Sequence, residues 1–190
     1  MKKLLLLALA FSMSIVSIQA QCNSSKSHKN TKAVKTTYHE NGEPDVVDIA
    51  ISSDVHTTLV AAVKAADLVG TLKSDGPFTI FAPTNAAFDK LPEGTVNTLL
   101  RPENKKQLTK ILTYHVLAGK YEAADVVKAI KISGGKATLE TVSGDKITAT
   151  MRNGKVMLKD ENGNYSTITA TDLAGKNGVV HVIDSVVLPK

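Results

Sequence analysis

The hydrophobic positions change their period along the chain, from a helical spacing in the first half to a strand spacing in the second. Between residues 45 and 131 apolar side chains recur every three or four positions, with one short exception. From Ile132 onward apolar and polar positions alternate in short runs that are separated by turn residues. A period of three to four residues predicts amphipathic helices, and alternation predicts half-buried strands. The pattern therefore predicts an α+β domain with helices first and a meander of antiparallel strands later.

The exception is a short strand near the middle of the chain, from Phe78 to Phe81. In an extended segment Phe78 and Ile80 point to one face, and Thr79 and Phe81 point to the other. Apolar or β-branched residues on both faces are typical of a strand inside a sheet. Pro83 has no N–H to donate to a neighbouring strand and follows directly. We therefore expect this strand to lie in the centre of the sheet.

Capping residues mark where the helices of the first half begin. The predicted N-caps are Asp45, then Ser53 or Asp54, and then Thr84 or Asn85. In the second of these helices Val55 and Leu59 start an apolar stripe, and Gly70 stands where the helix would end. His56 lies off that stripe, so we predict that it is exposed.

A second histidine, His115, lies on the apolar face of a predicted helix in the first half of the domain. Leu108, Ile111, Leu112 and His115 fall at i, i+3, i+4 and i+7, so the imidazole is expected to face the core. We interpret His115 as a neutral structural residue, hydrogen-bonded to a backbone or hydroxyl group, in preference to a ligand or a catalyst. Tyr114 lies about 100° away around the helix, which directs its hydroxyl nearer the surface if the helix extends that far.

Turn residues divide the second half into short strands. Asn153–Gly154 is a pair suited to a type I′ hairpin. The other predicted turns are at Gly144–Asp145, Asn162–Gly163 and Asn177–Gly178. The last apolar run extends from Val179 to Leu188 and contains His181, with Val180 and Val182 on the face opposite the imidazole. We interpret His181 as structural as well.

The N-terminal 44 residues differ in composition from the rest of the chain. Residues 1–20 combine two early lysines, an apolar segment and a small residue, Ala20, which is typical of a secretion signal. Residues 21–44 are polar and basic and predict a linker. Residues 45–190 are then the globular domain, and the protein is expected to be secreted, either to a periplasm or to the cell surface.

Cys22 is the only cysteine, so the chain forms no internal disulfide. Its position just after the signal resembles that of the lipid-acceptor cysteine of bacterial lipoproteins. Gln21 stands where such signals normally have a small residue, so the pattern favours simple cleavage after Ala20 over lipidation of Cys22. Lipid at Cys22 is the one membrane attachment that the sequence suggests.

Charge and aromatic content argue against a nucleic-acid partner. Residues 45–190 contain 17 basic and 16 acidic side chains, so the domain is close to neutral. The chain has no Trp and only four Phe and four Tyr, which leaves few platforms for stacking bases. We therefore expect no nucleic-acid binding.

An enzyme is the alternative class, and the sequence supports it weakly. It has no G-x-S-x-G elbow, no H-E-x-x-H pair and no glycine-rich phosphate loop. What remains is a hydrolase that uses His115 or His181 with Asp172, Asp184 or Ser185. The last two are consecutive and would point to opposite faces of a strand. The three histidines of the domain have no chelating spacing, so we expect no catalysis, no metal site and no cofactor.

Three separated segments resemble the conserved motifs of the fasciclin (FAS1) domain. They are FTIFAPTNAAFDKL at 78–91, ILTYHVLAGK at 111–120 and NGVVHVIDSVVLP at 177–189. They occur in the order and spacing of the family, and the resemblance covers Asp45 to Pro189.

The resemblance implies both a fold and a function. The fold is a wedge of about seven β-strands with several helices packed along it, and the first and last motifs form neighbouring central strands. The function is an adhesion or binding module that recognises extracellular or cell-envelope proteins or glycans, without catalysis. Tyr114 and His115 match the family's Tyr-His motif, which is linked with cell adhesion. Asp172 and Leu173 stand where an Asp-Ile pair is linked with integrin binding, with Leu in place of Ile.

Overall fold

The computed structural model describes residues 43–190. The predicted signal peptide at 1–20, nearly all of the linker at 21–44, and Cys22 lie outside the described residues. The first helix begins at Val46, directly after the capping residue Asp45. The division of the chain into signal, linker and domain stays a prediction.

Seven helices and seven strands make up the described part of the chain. The helices are α1 (Val46–Ile51), α2 (Thr57–Ala65), α3 (Val69–Leu72), α4 (Asn85–Asp89), α5 (Thr95–Leu99), α6 (Lys105–Tyr114) and α7 (Ala123–Ile132). Short 3₁₀ turns precede α2 at Asp54–His56 and α6 at Pro102–Asn104. The strands are β1 (Phe78–Pro83), β2 (Val116–Ala118), β3 (Lys136–Glu140), β4 (Lys146–Arg152), β5 (Lys155–Lys159), β6 (Tyr165–Gly175) and β7 (Gly178–Ile183). The predicted α+β class, with a late antiparallel meander, is confirmed.

The strands form one sheet in the order β2-β1-β7-β6-β5-β4-β3. The central pair, β1 and β7, is parallel, and the other pairs are antiparallel. The two edges approach each other, since Leu117 bridges to Thr141 and the Val142 N–H donates to the Val116 carbonyl at 2.8 Å. The sheet is therefore almost a closed barrel, which leaves little free strand edge.

The central pair separates two packed regions. On one face of β1 and β7, Ile80 and Val180 pack against helices α1, α2 and α6. On the other face Phe81 and Ile183 pack inside the barrel with side chains of β3, β4, β5 and α7. Phe81 is completely buried. The predicted two-sided, central position of the strand at 78–81 is confirmed.

Local sequence signals fix several helix starts and one hairpin. The Asp45 carboxylate accepts the Val47 and Asp48 N–H groups at 2.9 and 2.8 Å, and the Asp48 carboxylate accepts the Asp45 N–H at 3.2 Å. This reciprocal arrangement is a capping box. Thr84 is the cap of α4, through the Ala87 N–H at 3.2 Å. At the β4–β5 hairpin, Asn153 and its following glycine both have positive φ, as a type I′ turn requires.

The start of the second helix differs from the prediction. His56 is buried and Val55 is about half exposed, at 3% and 52%. The cause is the 3₁₀ turn at Asp54–His56, because three residues per turn rotate these side chains away from the positions that a period of 3.6 assigns. The His56 Nδ1 is 2.8 Å from the Ser53 hydroxyl.

Two predicted element ends were also wrong. Gly70 lies inside α3, and the left-handed residue after α2 is Asp67, with φ of 62°. The last apolar run is a strand only as far as Ile183. From Asp184 onward its backbone turns away from the ladder, and Asp184 N–H donates to the Thr167 carbonyl at 3.1 Å.

Candidate functional site

Tyr114 lies inside the domain at the end of α6, with none of its surface exposed. Its hydroxyl donates to the Lys146 carbonyl at 3.0 Å, which ties α6 to strand β4. The prediction that this hydroxyl lies nearer the surface was wrong. Because α6 ends at Tyr114 and β2 starts two residues later, the ring packs with Leu117 and Ile147 in the barrel interior. Burial, and then the charge of Glu161, raise the pKa of Tyr114 to about 12.

His115 is the capping residue of α6 and is 2% exposed. Its Nδ1 is 2.8 Å from the Ile111 carbonyl, which only accepts, so Nδ1 carries the hydrogen. Its Nε2 accepts the Val187 N–H at 3.3 Å. The ring therefore joins the end of α6 to the C-terminal segment as a neutral imidazole. Burial lowers its pKa to about 4.

His181 joins two other segments in the same way. The imidazole is completely buried in β7 and lies against the Phe81 ring, with centroids 5.9 Å apart. Its Nε2–H donates to the Tyr121 carbonyl at 2.8 Å, and its Nδ1 accepts the Asp172 N–H at 3.3 Å. The ring thus links the segment before α7 to the middle of β6.

Asp172 and Leu173 lie in an irregular part of β6, where the register to β7 shifts twice. Asp172 has a φ of 59°, a conformation that Asp adopts more readily than most residues. Its carboxylate accepts the Ala123 N–H at the start of α7, at 2.8 Å. Leu173 pairs with Val180 and is 38% exposed. Both residues are accessible, and the bulge that carries them is held by His181 on one side and by α7 on the other.

The four residues suggested by the family motifs therefore do not form one surface. Tyr114 and His115 are buried and contact β4 and the C-terminal segment. Asp172 and Leu173 are exposed and contact α7 and β7. Only the second pair is in a position to touch a partner.

The side chains of the hydrolase alternative are not arranged for catalysis. Within residues 43–190 neither His115 nor His181 is hydrogen-bonded to a hydroxyl or a carboxylate. The Asp184 carboxylate accepts the Thr167 N–H at 2.8 Å, and the Ser185 hydroxyl accepts the Lys90 ammonium at 3.2 Å. A nucleophile, a base and an orienting acid in contact are what such chemistry needs.

The described part of the chain contains neither a metal-binding cluster nor a membrane-spanning helix. Between residues 43 and 190, no three His, Cys, Asp or Glu side chains lie close enough to hold a metal ion. None of the helices in the same range has the length and apolar character needed to cross a bilayer.

A small apolar cavity lies between the helices α1 to α3 and the sheet. Its volume is about 60 Å³, and its wall includes Val63, Leu72, Ile80, His115 and Val180. Sites for drug-sized ligands are typically about 300 to 1,000 Å³. The cavity is therefore smaller than a site for a ligand of that size.

The outer surface of strands β3 to β6 is strongly basic. Every second residue along each of these strands faces outward. These outward-facing residues pair with one another across neighbouring strands and form one surface, since paired residues point to the same side of a sheet. We call it the basic face, and its cations are Lys136, Lys146, Arg152, Lys155 and Lys159. All five are exposed. These cations were not predicted as a group, because the charge of the whole domain sums to nearly zero.

Comparisons with known proteins agree with this geometry. The fasciclin domain model matches residues 54–189. The chain belongs to the fasciclin family. It is 50% identical over 144 residues to protein sll1483 of Synechocystis, a match that covers 76% of this chain and 73% of that protein. It is 38% identical over 151 residues to immunogenic protein MPB70 of Mycobacterium bovis, covering 76% of this chain and 69% of that protein.

A solved fasciclin structure has the same fold. The FAS1 domain pair from the insect cell adhesion molecule fasciclin I matches with a TM-score of 0.68 and 20% identity, over 76% of this chain. The match covers 51% of that chain, so this chain spans about half of its length. The expected side-by-side arrangement of the first and last motifs is confirmed, because β1 pairs with β7 from Phe78–Gly178 to Pro83–Ile183.

One structural residue of this fasciclin domain was missed entirely. Asn177 is buried, and its side-chain oxygen accepts the Val46 N–H at 3.1 Å. Its amide nitrogen donates to the carbonyls of Leu72 and Ser74 at 2.8 and 3.0 Å. The sequence indicates only a turn at this position, since the partners lie 103 to 131 residues away along the chain.

Proposed function

We propose that this protein is a secreted or surface-tethered adhesion module that binds cell-surface, matrix or envelope components. The observation that carries the proposal is the fasciclin domain over residues 54–189, with a fold shared by the domain pair of an insect cell adhesion molecule. A binding role fits the side-chain arrangement, because the imidazoles of His115 and His181, the two histidines of the hydrolase alternative, both join backbone segments.

The motif residues have separate roles in this proposal. Asp172 and Leu173 contribute to the contact surface, because they are exposed on a bulge that the fold holds in place. Tyr114 and His115 act indirectly, by keeping β4 and the C-terminal segment in position. Substitutions of the buried pair then change adhesion only as far as they change folding.

Adhesion by this protein depends on many copies acting together. One domain of this size offers a modest interface, and a modest interface binds weakly on its own. Display on a surface makes later contacts intramolecular and raises the total strength. We propose that export through residues 1–20 leads to such display, by lipidation of Cys22 or by association after cleavage at Ala20. Mass spectrometry of the mature N-terminus from the native host distinguishes the two.

The adhesion role is tested with purified full-length protein coupled to beads at a series of densities. We expect the beads to attach to intact cells of the source organism, or to matrix or envelope preparations, with strength that rises steeply with density. Beads that carry heat-unfolded protein are the control for non-specific sticking. Equal attachment of folded and unfolded protein, or no attachment at any density, would contradict the proposal.

The role of the bulge is tested by Leu173→Ala in the same bead assay. Ile132→Ala is the matched control, because it removes a similar exposed apolar side chain, 75% accessible, from the end of α7. We expect Leu173→Ala to weaken attachment more than the control does, with both variants unfolding at the wild-type temperature. Equal attachment by the two variants would remove Leu173 from the contact surface.

A further inference from the structure

Charge is strongly segregated on this nearly neutral domain. The basic face holds five of the 17 cations of residues 45–190, and its paired positions include a single carboxylate, Glu140. Neighbouring strands lie about 4.8 Å apart, and residues that share a face lie about 7 Å apart along a strand. The five cations therefore lie on a compact, regular surface.

None of these five cations is neutralised by the fold. In the part of the chain that the structure describes, the ion pairs involve other lysines and Arg101, and none includes a cation of the basic face. The carboxylates of the adjacent β5–β6 turn point elsewhere. Asp160 accepts the Leu188 N–H and Glu161 accepts the Lys190 N–H, each at 3.3 Å. A clustered, unpaired set of like charges costs stability through repulsion and attracts an anionic partner.

An exposed tyrosine orders part of the basic face. The Arg152 guanidinium lies 4.9 Å from the centroid of the Tyr165 ring, and the Lys159 ammonium lies 5.7 Å from it. Such cation–π contacts hold the two charged groups over one ring. Less conformational freedom is then lost when they bind a ligand.

Threonine hydroxyls fill much of the remaining surface of the basic face. Thr138 and Thr148 pair between β3 and β4, and Thr167 lies opposite Met157 on β6. Among residues 43–190 the hydroxyls of Thr138 and Thr148 make no hydrogen bond that competes with a ligand. The surface thus offers five cations, two of them held over the Tyr165 ring, with neutral donors and acceptors between them.

We propose that the basic face binds an acidic polysaccharide, with its carboxylate or sulfate groups on the cations and its hydroxyls on the threonines. This inference deepens the adhesion function proposed above and rests on it. An anionic membrane fits less well, because surface binding of that kind also requires buried apolar area, and the one large apolar side chain on the face exposed to solvent is Tyr165. Single-stranded nucleic acid fits less well, because Arg152 and Lys159 occupy the ring on which a base would stack.

The test measures binding of full-length protein to alginate, a polymer of uronic acids, with neutral dextran as the matched polymer. We expect retention on alginate that weakens as salt increases, because exposed charges are screened over about 8 to 10 Å at physiological ionic strength. Dextran is expected to retain nothing. Failure of the wild-type protein to bind alginate at low salt overturns the inference.

Two double variants distinguish the effect of the basic face on binding from the effect of total charge. Lys155→Glu with Lys159→Glu reverses two charges on the basic face. Lys106→Glu with Lys128→Glu makes the same change in net charge at exposed helix positions that form no ion pair within the described residues. We expect the face variant to bind alginate about tenfold more weakly at low salt, since each reversal replaces an attraction by a repulsion. Equal losses in both variants overturn the inference.

Two further experiments address a face variant that fails to fold and the class of partner that the basic face binds. If the face variant unfolds, Lys136→Gln with Lys146→Gln replaces it, because neutral substitutions at these exposed positions add no repulsion. Phosphatidylglycerol vesicles and single-stranded DNA are tested beside alginate. Preference for either one through the same lysines overturns the polysaccharide assignment. The adhesion function fails separately, because its test is attachment of beads to cells, and attachment by the face variant would leave that function intact.

Discussion

The Tyr114–His115 pair and the basic face show two opposite uses of polar side chains in one domain. In the interior, the Tyr114 hydroxyl and both His115 ring nitrogens are matched to backbone groups. On the basic face, five cations have no ionic partner in the described part of the chain. The first arrangement stabilises the fold because buried polar groups must be satisfied. The second arrangement leaves charged groups that the fold does not use and that can bind a partner.

This difference shows that a residue in a family motif need not be a residue that contacts a partner. A Tyr-His pair draws attention in the sequence because an imidazole on an apolar stripe is unusual. In the folded domain its surface is closed to any partner. The lysines of the basic face follow an ordinary alternation of strand residues. We therefore expect substitutions in the interior to affect stability more than binding. Substitutions on the basic face should affect binding more than stability.

The largest expected effect is loss of the buried ring of Phe81. Phe81→Ala should lower the free energy of unfolding by about 3 to 5 kcal/mol, as is typical when a buried Phe is truncated. Tyr165→Ala is the contrasting variant, because it removes a ring of similar size from the basic face, and we expect it to cost less than about 1 kcal/mol. Chemical denaturation measures both. Similar losses for the two variants would contradict the division between interior and face.

Acid should also destabilise the interior, through His115. Burial lowers the pKa of this imidazole from 6.5 to about 4. Between pH 6.5 and 4 the unfolded chain binds a proton that the folded chain does not bind, so stability falls as pH falls. One pKa unit corresponds to 1.36 kcal/mol, so His115 accounts for a loss of about 3 kcal/mol across this range.

The variant His115→Asn isolates this contribution from those of other acid-sensitive groups. Burial also lowers the pKa of His56, whose effect has the same sign and is present in both proteins. Unfolding at several pH values should show a weaker dependence in the variant between pH 6.5 and 4, although the variant is less stable at pH 7. An unchanged slope would mean that His115 is not buried as a neutral ring.

A smaller effect is expected when one interior hydrogen bond is removed. Tyr114→Phe keeps the buried ring but leaves the Lys146 carbonyl without its donor at 3.0 Å. The cost should be about 1 to 2 kcal/mol, as for a buried acceptor that loses its partner. Thermal unfolding measures it. A variant as stable as wild type would indicate that water replaces the hydroxyl.

The smallest effect on stability is expected on the basic face. Lys155→Gln and Lys159→Gln should each change the free energy of unfolding by less than about 0.5 kcal/mol, because both side chains are exposed and make no ion pair in residues 43–190. We expect a small gain in stability, since repulsion between like charges decreases. Destabilisation by more than about 1 kcal/mol would show that these lysines support the fold.

The features that local sequence determines were predictable. The two-sided strand at 78–81, the N-cap at Asp45 and the turn at Asn153–Gly154 each depend on residues a few positions apart. The burial of His115 followed from its position on an apolar stripe. Sequence periodicity is reliable where one regular element continues through the residue in question.

The features that were missed depend on where an element changes or on distant partners. The 3₁₀ turn at Asp54–His56 exchanged the environments of Val55 and His56. The direction of Tyr114 was wrong because α6 ends at that residue. The basic face was overlooked although strand alternation predicts it, because a net charge over residues 45–190 discards which side of the sheet each lysine occupies.

We assign binding to the outer surface of the domain, and we assign to the Tyr-His motif a role in supporting the fold. The most direct measurement compares attachment of two full-length variants to an alginate surface at a temperature where both are folded. Tyr114→Phe should attach like the wild-type protein, and Lys155→Glu with Lys159→Glu should attach about tenfold more weakly at low salt. Loss of attachment by folded Tyr114→Phe, with normal attachment by the lysine variant, would contradict the account.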